Sequence, residues 1–122
     1  VGGAGPIGLL LSAILKAKGL SVIVTELSSA RKQKASESGV ADHILDPSEV
    51  DVVEEVMKIT DGRGVDVAFE CSSVNKVLDT LVAATTSAGV VVIVSIWSHP
   101  ATVNVHSVVM KELDVWDHCV LQ

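Results

Sequence analysis

The chain has 122 residues, enough for one domain and too few for two. Hydrophobic residues make up 48% and charged residues 20%, with a mean hydropathy of +0.50, which excludes a disordered chain. The formal charge is -6 and the only basic cluster is the short Arg31-Lys32-Gln33-Lys34 run, so a nucleic-acid or anionic-membrane surface is excluded as well. Two cysteines, Cys71 and Cys119, form no disulfide framework and no zinc-spaced cluster, the pattern of reduced thiols in a cytoplasmic protein. No apolar run reaches transmembrane length. The first residue is Val1, not Met, and it leads straight into a glycine-rich turn, so the chain reads as part of a longer protein whose first strand is cut short.

Residues 6–15 follow that turn with Ile7, Leu10, Leu11, Ile14 and Leu15 at helical spacing, an apolar stripe expected to pack on a sheet. A short Val/Ile run at 21–26 reads as a strand, and 28–38 as a surface helix poor in large apolar residues. A strand at 43–46 precedes a helix carrying Val50, Val53, Val56 and Met57. A strand at 65–70 then leads to a helix with Val74, Val77, Leu78, Leu81 and Val82 on one face. The run at 89–95 is a further strand, followed by a short helix at 105–111 and a last strand or tail. The strand runs lack polar alternation, as expected of strands buried on both faces, and Gly19, Gly39 and Gly89 each stand where a left-handed helix cap is expected. Strands and helices alternating at this spacing predict an α/β, Rossmann-type doubly wound parallel sheet, its first strand truncated and its last one altered.

Gly3-Ala4-Gly5-Pro6-Ile7-Gly8 matches the G-x-G-x-x-G turn between a strand remnant and a helix. In such a turn Gly3 permits the tight bend, Gly5 lets backbone approach a pyrophosphate, and Gly8 lets the helix lie close to the sheet. Pro6 falls in the first helical turn, where its missing N–H costs nothing, and the free N–H groups there face phosphates. Glu26, 18 residues after Gly8, stands where a carboxylate accepts the adenine-ribose hydroxyls and repels a 2′-phosphate, favouring NAD over NADP. Arg31 either flanks the adenine ribose or is a solvated helix residue.

VGGAGPIGLL, VIVTE, GVADHILDP, TDGRGVDVAFE and AGVVVIVSIW together resemble the coenzyme-binding domain of zinc-type medium-chain alcohol dehydrogenases, in the sorbitol and 2,3-butanediol dehydrogenase branch. The resemblance implies an NAD-binding Rossmann domain over 1–115 from an enzyme that transfers hydride between NAD and a secondary alcohol or polyol. It places the catalytic zinc and its ligands in a separate domain, so this chain carries no catalytic residue and no metal ligand and is not expected to be active alone. It also implies a homodimeric or homotetrameric parent enzyme. Besides Gly3, Gly5, Pro6, Ile7, Gly8, Glu26 and Arg31, it assigns cofactor contacts to Cys71 and Ser72, in the Cys71-Ser72-Ser73 segment beside the adenine, and to Val94, Ser95 and Ile96 near the nicotinamide. A non-catalytic dinucleotide-binding or regulatory module is the alternative, and the same sheet with FAD or S-adenosylmethionine a weaker one.

Three departures from the family pattern carry expectations. Ser36 and Ser38 replace apolar residues and should weaken the docking of their helix. Ser73 replaces a common glycine, which should alter the adenine-side loop. Residues 116–122 replace a Gly-Ser/Thr-Ile-Gly/Ala-Tyr strand that reaches the nicotinamide and pairs with a second subunit. Reading the back-translated codons one nucleotide later permits Gly-Thr-Ile-Ala-Tyr, so the tail reads as an out-of-frame copy of that strand. Asp117 and His118 buried in a strand would be costly, so the tail is expected to fray or lie at the surface. With its central first strand cut, the isolated chain is expected to be marginally stable.

Overall fold

The computed structural model describes residues 1–117. In chain order it contains α1 (Pro6–Ala17), β1 (Ile23–Thr25), α2 (Ser29–Ser38), β2 (His43–Leu45), α3 (Val52–Ile59), β3 (Val65–Glu70), α4 (Asn75–Ala84), β4 (Thr85–Ile93), α5 (Val105–Met110) and β5 (Asp114–Asp117). Strand β1 pairs with β2, and β3 with β4 and then β5, all in parallel. Gly2 joins these two groups by bridging to both Thr25 and Glu70. Its N–H donates to the Phe69 carbonyl at 2.8 Å, and its carbonyl accepts from Cys71 N–H at 2.9 Å. On the other side, Thr25 N–H reaches the Val1 carbonyl at 3.0 Å and Gly3 N–H the Thr25 carbonyl at 2.9 Å. The lateral order is therefore β2, β1, the Gly2 segment, β3, β4, β5. The glycine turn leaves from the centre, the crevice where open parallel sheets hold ligands.

Alternate strand residues feed opposite faces. Val22, Val24 and Ile44 pack with Ala4, Leu9 and Leu15 around α1 and with Ala35 of α2. On the other face, Ile23, Leu45 and Val65 pack with Val52 and Val56 of α3, and Ala68 and Val91 with Leu78, Leu81 and Val82 of α4. Helices on both faces make the sheet doubly wound, as expected. Among the described residues no helix is long and apolar enough to cross a membrane.

Several local expectations are corrected. On α1 the residues Ile7, Leu10 and Ile14 are exposed, while Gly8 and Ser12 are buried. A Cβ on Gly8 would lie 2.0 Å from the Gly3 carbonyl oxygen, so α1 docks backbone-tight at Gly8, with Leu9 and Leu15 packing on the core beside it. Of the expected stripe, Leu15 packs on the core while Ile7, Leu10 and Ile14 do not. Gly89 caps no helix: α4 ends in Thr85, whose extended backbone leads directly into β4, and Gly89 lies inside that strand. Gly39 does take the left-handed capping position of α2 at φ 63°, and Gly19 has φ 78° just beyond α1. Ser36 and Ser38 are exposed, so neither position weakens docking, which rests on Ala35.

Burial on both faces holds unevenly. Val67 is 44% exposed because, with Ile23, Val65 and Phe69, it lines a cavity of about 420 Å³ between β1 and β3. All four residues of β5 are exposed although they pair with Val90, Val91, Val92 and Ile93. Trp116 and Asp117, expected in the altered tail, continue this edge strand, where the Asp117 carboxylate keeps its water. The rest of that tail, 118–122, lies outside the described residues.

Candidate functional site

The carboxyl ends of β1, β3 and β4 converge on the glycine turn, and each turn glycine has a separate reason to lack a side chain. Gly3 has φ 105°, and a Cβ there would press on Ser72 at 3.3 Å and on the Cys71 carbonyl oxygen at 3.4 Å. Gly8 brings α1 against the turn. Gly5 meets nothing within 4 Å, so its missing side chain serves no internal packing and leaves the face beyond the turn open. Gly5 is also the N-cap of α1, no side chain caps the helix, and Pro6 occupies its first position. The first-turn N–H groups and the positive end of the helix dipole therefore face outward, a ready anion site. Ile7 lies on this turn with its side chain 56% exposed.

Glu26 follows β1 and is only 8% exposed. One carboxylate oxygen accepts Ala4 N–H of the glycine turn at 2.8 Å and the other accepts Ser28 N–H at 2.9 Å. A carboxylate has about four acceptor positions, so two bonds lock Glu26 in place and leave capacity for hydroxyl donors. Arg31 comes within 3.9 Å of the Glu26 carboxylate and is largely exposed, a loose contact rather than a fork. Beside this pair Lys32 bonds Asp46 at the end of β2. The Lys32 bond and the Ser48 hydroxyl and N–H hold the Asp46 carboxyl down at about 2.

Cys71 and Ser72 lie against Gly3, across the Gly2 segment from Glu26. Burial pushes the Cys71 thiol up to about 11, so it is protonated and unreactive at neutral pH. Val94 and Ser95 continue from β4 and both donate their N–H groups to the Glu70 carbonyl, at 2.9 and 3.2 Å. Ile96 is exposed, and its carbonyl accepts the Ser73 hydroxyl at 2.9 Å. The expected residues thus fall at one end of the sheet, on three adjacent loops. Ser73 has φ 58°, the left-handed backbone that explains why glycine suits this position; here two N–H contacts and its hydroxyl bond hold the bend. Sequence reading missed Ser28, Lys32 and Asp46, which brace the Glu26 side. It also missed Glu70, the best-connected carboxylate in the site. The VAFE run looks like an apolar strand, and only its acidic last residue signals anything else.

The chain matches the zinc-binding dehydrogenase family over residues 6–121. It belongs to that family. It is 82% identical over 115 residues to (R,R)-butanediol dehydrogenase of Neisseria gonorrhoeae, covering 94% of this chain and 32% of that protein. It is 36% identical over 116 residues to sorbitol dehydrogenase of Bacillus subtilis, covering 93% of this chain and 33% of that protein. The crystal structure of 2R,3R-butanediol dehydrogenase from Bacillus subtilis matches with a TM-score of 0.89 at 45% identity, over 97% of this chain and 34% of that one. At 28% identity, a zinc-binding dehydrogenase from Sinorhizobium meliloti bound to NADP matches over 95% of this chain and 35% of that one, with a TM-score of 0.83. An alcohol dehydrogenase from E. coli complexed with NADH, also 28% identical, matches over 95% and 34% with a TM-score of 0.80. The family and fold implied by the residues are borne out, and the chain spans about a third of the length of these relatives. Among the described residues no three His, Cys, Asp or Glu side chains gather into a metal site.

Proposed function

We propose that this domain binds NAD(H) and serves an oxidoreductase that moves hydride between the nicotinamide and a secondary alcohol or polyol. The observation that carries the reading is the open, uncapped glycine turn at the centre of the sheet with the Glu26 carboxylate anchored to it. The N–H groups beyond Gly5 take the pyrophosphate, and the helix dipole offsets its charge. Glu26 uses its free acceptor positions for the ribose hydroxyls, and its buried charge opposes a 2′-phosphate, favouring NAD over NADP. Arg31, held loosely, flanks that ribose. Cys71 and Ser72 border the adenine side, and Val94, Ser95 and Ile96 carry the nicotinamide side.

The bound dinucleotide supplies the hydride chemistry. Substrate, zinc ligands and the homodimeric or homotetrameric contacts belong, on this reading, to the larger cytoplasmic enzyme. The names of the butanediol and sorbitol dehydrogenases support the alcohol class. Fluorescence titration with NADH, with NADPH and FAD as comparisons, tests the cofactor assignment. Saturable NADH binding tighter than NADPH is expected, and a folded sample that binds no NADH removes the assignment.

A further inference from the structure

Glu70 is 0% exposed, and among the described residues it has no ion-pair partner. A buried carboxylate is costly unless its acceptor positions are filled. Here they are filled entirely by neutral donors. One oxygen accepts Ser72 N–H at 2.6 Å, the Ser72 hydroxyl at 2.7 Å and Ser73 N–H at 2.9 Å. The other accepts the Ser95 hydroxyl and, at 3.2 Å, the Trp97 indole N–H. The donors divide between two loops, 71–73 after β3 and 95–97 after β4, and Trp97 alone among them also packs against the apolar core. The backbone of Glu70 ties the same places together: it bridges to Gly2, and its carbonyl takes Val94 and Ser95 N–H. Ser73 closes the ring by donating to the Ile96 carbonyl.

We propose that Glu70 is a positioning residue for the dinucleotide site, a carboxylate clasp that holds the adenine-side loop 71–73 and the nicotinamide-side loop 94–97 at a fixed separation. The proposal rests on the NAD(H) reading above. A side chain needed only for core volume could be apolar at this position. Five donors drawn from two loops at the mouth of the crevice serve geometry instead, because they make the position of each loop depend on the other. A ligand spanning both loops then binds to a preformed gap and loses less freedom in binding.

The test compares NADH, which reaches both loops, with AMP, which reaches only the adenine side, on the full chain at a temperature where circular dichroism shows each variant folded. Glu70→Gln keeps the size but places an amide NH2 against donors, and is expected to weaken NADH about tenfold while AMP changes less than about threefold. Amide hydrogen exchange at 94–97 should quicken in parallel. Trp97→Phe removes one donor of the 95–97 loop without touching the carboxylate or any residue assigned to the cofactor. It carries the test should Glu70→Gln fail to fold, with the same pattern expected at about threefold. Equal losses for NADH and AMP, or none, in a folded variant would overturn the clasp. If the unaltered chain binds AMP but not NADH, the NAD(H) reading falls first and takes the proposal with it; NADH binding by the unaltered chain keeps the two failures separate.

Discussion

Two buried glutamates flank the Gly2 segment, one after β1 and one at the end of β3, and their hydrogen bonding separates their roles. Glu26 accepts two backbone N–H groups and keeps open acceptor positions near the exposed cation of Arg31. Glu70 is saturated by five donors from two loops. A carboxylate with spare capacity at a ligand mouth is suited to touching the ligand, and a saturated one is suited to holding the walls. Sequence spacing found the first and passed over the second, since Glu26 stands at a known distance from a glycine motif whereas the partners of Glu70 are local serines and a tryptophan 27 residues away.

The contrast breaks first at its saturated member. Glu70→Ala takes the carboxylate from five donors, of which only Ser73 N–H keeps a second acceptor in the Ser95 hydroxyl, and should destabilise the domain by about 3 kcal/mol, read as a lowered midpoint in urea unfolding. Gly5→Ala tests the open side: its Cβ meets nothing, so the midpoint should hold while NADH affinity falls at least about tenfold. A matching loss of stability would show that Gly5 serves packing after all. Glu26→Gln retains an acceptor for Ala4 N–H but removes the charge, and should shift the NADH-to-NADPH preference about tenfold toward NADPH with a stability change of about 1 kcal/mol.

The smallest effect concerns a third carboxylate at the same end of the sheet, satisfied by a cation. Asp46 is held at about 2 against an ordinary 3.8, by the Lys32 bond first and by Ser48 next. Its folded value lies below its unfolded one, so its contribution is complete above about pH 4 and is lost as the pH falls through about 2. Acid unfolding of Asp46→Asn, compared with the unaltered chain, should show a flatter dependence across that window. Identical acid profiles would remove Asp46 from the account.

Most of the architecture was legible because it depends on period and punctuation. Val65–Glu70 was read with both boundaries right, and Gly39 with its left-handed cap. The failures share one cause. On α1 the apolar residues Ile7, Leu10 and Ile14 satisfy a helical period, yet the face that docks is defined by Gly8, whose value lies in what it lacks. At Gly89 a glycine after a helical run looks like a cap, but Thr85 Cγ2 and the Thr86 carbonyl exclude a Cβ there for a packing reason. Close approach between distant backbones has no signature in hydrophobic spacing.

For the candidate site, the chain by itself determined the glycine turn and the place of Glu26 beside it, because both are set by short-range geometry: a bend, a helix start and one strand length. Ser73 was also marked, as a residue where glycine is common, before its φ of 58° explained the preference. What only the tertiary structure decided is how three loops from separate strands become one crevice. The lateral order β2, β1, Gly2, β3, β4 brings Glu70 under loops 71–73 and 95–97, and a burial of 0% turns an ordinary strand-end acid into a group that must find five donors. That requirement comes from low dielectric and exclusion of water, properties of the folded interior.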